Sequence, residues 1–149
     1  MNTSYFIASS KELAHERLII GDVLMDVLKN NPSDDFIKIV KWEYLDSDFG
    51  QKEKQSEYED HLRQCDITIV MFWEKHGIYT NREYQIAKEL EQQGKRCYVL
   101  FKDVEIDKRE DCLTRFYLEI KNSPTTYCFS TDTELFDIMM NISKINQIK

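Results

Sequence analysis

"ITIVMFW", Ile67 to Trp73, is the run whose reading decides the fold. Its residues are apolar or β-branched throughout, with no alternation toward solvent, as expected of a strand covered on both faces. Four more β-type runs lie outward from it: "SYFIA" (Ser4 to Ala8), "FIKIVKW" (Phe36 to Trp42), "CYVLF" (Cys97 to Phe101) and "TTYCF" (Thr125 to Phe129). Amphipathic segments separate them. Leu13, Ile20, Val23, Leu24, Val27 and Leu28 suit a helix over about Lys11 to Lys29, and Tyr58, Leu62 and Cys65 suit a second. Tyr84, Ala87 and Leu90 mark a third helix that ends at Gly94, and Leu113, Phe116, Tyr117 and Ile120 a fourth before Pro124. Leu135, Ile138, Met139, Ile142 and Ile145 mark the last.

Five strands alternating with five helices predict an α/β protein, a parallel sheet with helices on both faces. The central place of "ITIVMFW" favours a flavodoxin-like three-layer fold of strand order 2-1-3-4-5 over a barrel. With 149 residues and no repeat or linker, residues 1–149 read as a single domain. In such folds the site lies outside the carboxyl ends of the strands, at the switch between strands one and three. The segments to inspect therefore follow Ala8, Trp42 and Trp73.

Composition excludes several functions. A net charge of -7 argues against a nucleic-acid surface, because phosphate binding is driven by clustered Lys and Arg. No apolar stretch approaches the ~20 residues that span a bilayer. The N-terminus also lacks a basic segment followed by a long apolar one. Cys65, Cys97, Cys112 and Cys128 form no CxxC pair. Three of them sit in or beside apolar runs, which predicts buried free thiols, a reducing compartment and a cytoplasmic protein without a metal site.

The four glycines, Gly21, Gly50, Gly77 and Gly94, build neither G-x-G-x-x-G nor a Walker loop. A phosphoacceptor receiver would place acids after strand one, where this chain has Ser9 and Ser10. Ser9-x-x-Glu12, Thr80-x-x-Glu83 and Thr131-x-x-Glu134 all have capping-box spacing. By spacing alone Glu83 is a cap in the first turn of its helix. By position it is a carboxylate at the switch-point edge, the sort of group that stabilises positive charge at a sugar carbon. Ser9 and Ser10 are candidates for holding a phosphate or a ribose hydroxyl. Trp42 and Tyr44, from the long loop after the second strand, and Tyr79 are candidates for stacking on a flat ring. The charge run Lys52 to Asp60 reads as a solvated helix start.

"YFIASSKELAHER", "IVKWE", "KQSEYEDHLRQCDITIVMFWEKHGIYTNREY" and "KRCYVLFKD" resemble the prokaryotic branch of the TIR (Toll/interleukin-1 receptor) domains. They resemble in particular the TIR-like domains opening with F-I-x-S-S-x-E-L-x-x-E-R, and the similarity runs from about Tyr5 to Phe129. The resemblance implies NAD+ glycohydrolase activity, with NAD+ as substrate and no cofactor, in an effector of antiphage defence. It implies that Glu83 is the catalytic glutamate, that activity needs TIR–TIR self-association, and that a fused or separate sensor protein provides the trigger. Ser9 and Ser10 would then lie near ribose and phosphates, and Trp42, Tyr44 and Tyr79 near nicotinamide. The residues before Glu83 read "YTNR" and depart from the small-Trp-Cys type of eukaryotic relatives. Two alternatives stand beside this expectation: a non-catalytic TIR scaffold, and a nucleoside deoxyribosyltransferase-like enzyme.

Overall fold

The computed structural model describes residues 3–9, 11–29, 37–40 and 59–147. Strands β1 (Thr3–Ala8), β2 (Ile37–Val40), β3 (Ile67–Phe72), β4 (Arg96–Lys102) and β5 (Thr126–Phe129) form one sheet in the order β2-β1-β3-β4-β5. All four pairings are parallel. Helix α1 (Ala14–Lys29) follows a 3₁₀ turn at Lys11–Leu13. Residues 59–64 are helical (α2) and lead into β3. Helices α3 (Ile78–Leu90), α4 (Asp111–Ile120) and α5 (Asp132–Gln147) complete the set.

Strand periodicity sorts the core into two layers. Tyr5 and Ile7 of β1, Ile67, Ile69 and Met71 of β3, and Tyr98 and Leu100 of β4 pack against α1 and α5. The alternate residues Phe6, Ala8, Val70, Phe72, Val99 and Phe101 pack against α3 and α4. All six residues of β3 are buried, which is why its sequence shows no polar face. Burying a side chain of Leu, Ile or Phe size contributes about 1.5–3 kcal/mol, so β3 anchors both layers. β5, at the sheet edge, buries only Phe129. Cys65 and Cys97 are buried, whereas Cys128 and Cys112 are exposed. The expectation of a buried Cys128 is corrected, because β5 turns that position outward at an edge strand.

Glycine and threonine set the helix boundaries. Gly94, at φ 87, accepts the left-handed turn that stops the 3₁₀ extension of α3, and Lys95 N–H reaches back to Leu90 O at 3.3 Å. Thr131 caps α5: Glu134 N–H donates to Thr131 Oγ1 at 3.2 Å, and that hydroxyl also meets Glu134 Oε1 at 3.3 Å.

Candidate functional site

Ala8 stands opposite Val70 across β1 and β3, so the carboxyl ends of these strands lie side by side. Two helices meet that edge from opposite faces of the sheet, α1 on one and α3 on the other.

On the α1 face the edge is closed by charge. Ser9, the first residue past β1, is fully buried, and its Oγ accepts a hydrogen bond of 2.7 Å from Arg17 Nη1. The hydroxyl keeps its own O–H for a further acceptor. Arg17 is itself only 3% exposed. Its neighbour Glu16 is buried and pairs with Lys102 Nζ at 3.3 Å, at the end of β4. That ammonium lies 4.5 Å from the centre of the Trp73 ring. The first turns of α1 thus tie the ends of β1, β3 and β4 together over this face. Ser9 and Ser10 were the residues read from sequence here; Ser10 lies outside the described residues.

On the other face lies Glu83, 0% exposed. The structure corrects the capping-box reading of Thr80 and Glu83. Helix α3 begins three residues earlier than that spacing requires, at Ile78, with Gly77 as its N-cap and no side-chain cap hydrogen bond. The cause is backbone geometry: Gly77 turns the chain at φ 68, a conformation that L side chains adopt at a cost. Thr80 therefore sits inside the helix, no acidic residue occupies its first turn, and Glu83 stands in the second. A side chain there is beyond the reach of the orphan N–H groups that a cap satisfies.

Glu83 shares its spacing with Ile86, Ala87 and Leu90, which are three, four and seven positions on and belong to the core. These residues form the stripe by which α3 packs on β1, β3 and β4. Glu83 and the buried Thr80, three positions before it, are the polar end of that stripe, at the end of the helix nearest the carboxyl edge. Ser9 and Glu83 thus share the edge but approach it from opposite faces. Tyr79 lies in the first turn of α3, and its side chain is outside the described residues, as are Trp42 and Tyr44.

The adjoining loop is well ordered by hydrogen bonds. His76 N–H donates to Glu110 Oε1 at 2.8 Å, and the His76 ring stacks on Phe116 at 5.0 Å. Burial pushes the His76 imidazole below its ordinary value, against a smaller opposing pull from the Glu110 carboxylate. A shallow cavity of about 380 Å³ opens here, lined by Lys75, His76, Gly77, Asn81, Glu110 and Cys112. Glu83 is not among its lining residues.

Sequence reading missed three buried charges: Glu16, Arg17 and Glu59. Glu59 is 5% exposed and receives Arg82 Nε at 2.5 Å, so the solvated reading of the Lys52 to Asp60 run is corrected at this residue. The exposed Asp60 fits that reading, and residues 52–58 lie outside the described ones. The signal was periodicity. Glu16 and Arg17 fall on the stripe Leu13, Ile20, Leu24, where an apolar residue is expected.

Among the described residues no group of three or more His, Cys, Asp or Glu side chains is placed to hold a metal ion, and no helix is long and apolar enough to cross a membrane. Compared with protein-family models and with curated proteins, the chain matches none.

Proposed function

We propose that the protein is an NAD+ glycohydrolase in which Glu83 is the catalytic group. One observation carries the reading. A fully buried carboxylate, one turn too deep to cap its helix, occupies the sheet-facing stripe of α3 beside the carboxyl ends of β1 and β3. Burying a carboxyl group is costly, which makes one held at the carboxyl ends of the strands a candidate for function. The resemblance of Tyr5 to Phe129 to prokaryotic TIR domains supplies the substrate, and the strand order 2-1-3-4-5 supports the flavodoxin-like architecture that goes with it. Cytoplasmic location and a role in antiphage defence belong to the same proposal.

The chemistry asks little of the protein. The bond between C1′ of the ribose and the nicotinamide nitrogen breaks, and its electron pair leaves with the ring, which departs neutral and needs no acid. Positive charge develops on the ribose as an oxocarbenium ion. A carboxylate held in a dry site stabilises that charge more strongly than one in water, and can fix the ribose hydroxyls. Water then attacks C1′ and releases a proton, giving ADP-ribose; attack by an adenine nitrogen gives a cyclic product instead. In this scheme Ser10 lies by the ribose and phosphates, Trp42, Tyr44 and Tyr79 lie by the ring, and the buried Ser9, holding Arg17, supports the edge from behind.

Self-association forms part of the proposal. It rests on the TIR resemblance. The test is nicotinamide release from NAD+ by concentrated protein, compared with Glu83→Gln, which keeps the shape of the side chain and removes its charge. Release by the wild type and a loss of about 10²-fold or more in a folded variant are expected. Equal activity in both would remove Glu83 from the mechanism.

A further inference from the structure

We infer that Arg109 and Glu110, on the loop joining β4 to α4, are positioning residues for Glu83, a role that rests on the reading of Glu83 as the catalytic group. Helix α3 has no side-chain cap, and Gly77 at its start is flexible in the unfolded chain. The Gly77 turn sets the first residue of the helix, but the place of that turn depends on the segment before it. The segment Trp73 to His76, which leads from β3 into Gly77, is held at three backbone groups by two consecutive residues of the neighbouring loop. Arg109 Nε donates to Trp73 O at 3.2 Å. Glu110 N–H donates to Glu74 O at 2.8 Å. His76 N–H donates to Glu110 Oε1 at 2.8 Å.

Arg109 is anchored in turn. Its Nη2 donates to Lys102 O at 3.1 Å, and its guanidinium lies 5.8 Å and 5.5 Å from the ring centres of Phe101 and Tyr117. One planar fork therefore joins the carboxyl ends of β3 and β4. Lysine, with a single point charge on a flexible stem, does not reproduce the fork. From Gly77 the helix rises 1.5 Å per residue, so Glu83 lies about 9 Å along a rigid element whose origin this staple sets. A displacement of about 1 Å at a reacting group costs roughly 10²-fold in rate.

The experiment compares wild type with Arg109→Lys, Arg109→Met and Glu110→Ala, the last removing only the carboxylate on His76 N–H. Two quantities are read: kcat and KM for nicotinamide release from NAD+, and amide hydrogen exchange at Arg82 and Glu83 relative to the β3 and β4 amides. The Arg109 variants are expected to lower kcat by about 10²-fold with little change in KM, and Arg109→Lys to fail to restore it. Exchange at Arg82 and Glu83 is expected to quicken while the β3 and β4 amides stay protected. Glu110→Ala is expected to move both readouts the same way, less far. Folded variants with unchanged exchange at Arg82 and Glu83 and unchanged kcat overturn the inference. A wild type that releases no nicotinamide defeats the reading of Glu83 instead, and the exchange measurement then decides whether the staple positions α3. If Arg109→Met does not fold, Arg109→Lys and Glu110→Ala supply the same two readouts.

Discussion

Gly77 and Glu83 show how a single backbone angle changes the meaning of a side chain. With Gly77 at φ 68 the helix starts at Ile78, and a spacing that reads as a cap becomes a buried carboxylate in the second turn. A Cβ at Gly77 would meet Thr80 Oγ1 at 3.5 Å, an ordinary contact, so the obstacle to alanine is conformational and not steric. Gly77→Ala is expected to destabilise the fold by about 1–2 kcal/mol, read from the midpoint of urea unfolding. A neutral effect would mean that the left-handed turn is not what sets the start of α3. The sequence carried a sign of Glu83's setting: Glu83, Ile86, Ala87 and Leu90 share helical spacing, so a charge stands where packing asks for an apolar group. Glu16 and Arg17 carry the same sign on α1. Which tertiary partner each side chain meets is not written locally, since Arg17 meets Ser9 and Glu16 meets Lys102 only once the sheet is assembled.

At the scale of elements, α4 holds α3 in place through Phe116. Its ring meets Tyr84 at 4.8 Å, Phe72 at 5.4 Å and His76 at 5.0 Å, joining two helices and the central strand. Phe116→Ala is expected to cost about 3–5 kcal/mol in unfolding free energy. A loss well below 1 kcal/mol would show that this aromatic cluster does not hold α4 against α3. On the opposite face His15 Nε2 lies 2.8 Å from Asp132 and links the starts of α1 and α5. The hydrogen bond to Asp132, followed by its charge, raises the His15 pKa. A raised folded value means the link contributes in full below the unfolded value of about 6.5 and fades as pH rises through the folded one. The stability gap between wild type and His15→Gln, followed by thermal unfolding, should therefore be present in acid and close at alkaline pH. A gap that widens with pH would contradict the assignment. The strands were the most legible elements: β4 extends one residue beyond "CYVLF" at each end and β5 begins one residue inside "TTYCF". Long apolar or β-branched runs bounded by Gly and Pro leave little choice, whereas helix starts depend on turn geometry that spacing does not reveal.

For the molecule as a whole, the strand order brings the carboxyl ends of β1 and β3 together at one edge, between the two layers of the core. On the α1 side of that edge Arg17 holds Ser9 and Glu16 holds Lys102, and on the α3 side Glu83 lies buried at the end of an apolar stripe. The fold class was legible because alternating strands and amphipathic helices admit few arrangements. The substrate was not, because it is recognised by side chains that different parts of the chain bring to one edge, and because a resemblance rather than a spacing supplied it. The decisive measurement is nicotinamide release from NAD+ at high protein concentration by wild type and by Glu83→Gln, with folding of both checked by thermal unfolding. Release by the wild type, with a fall of about 10²-fold or more in a variant that remains folded, is the predicted result. A folded variant as active as the wild type, or a wild type that leaves NAD+ intact even when clustered, would contradict the account.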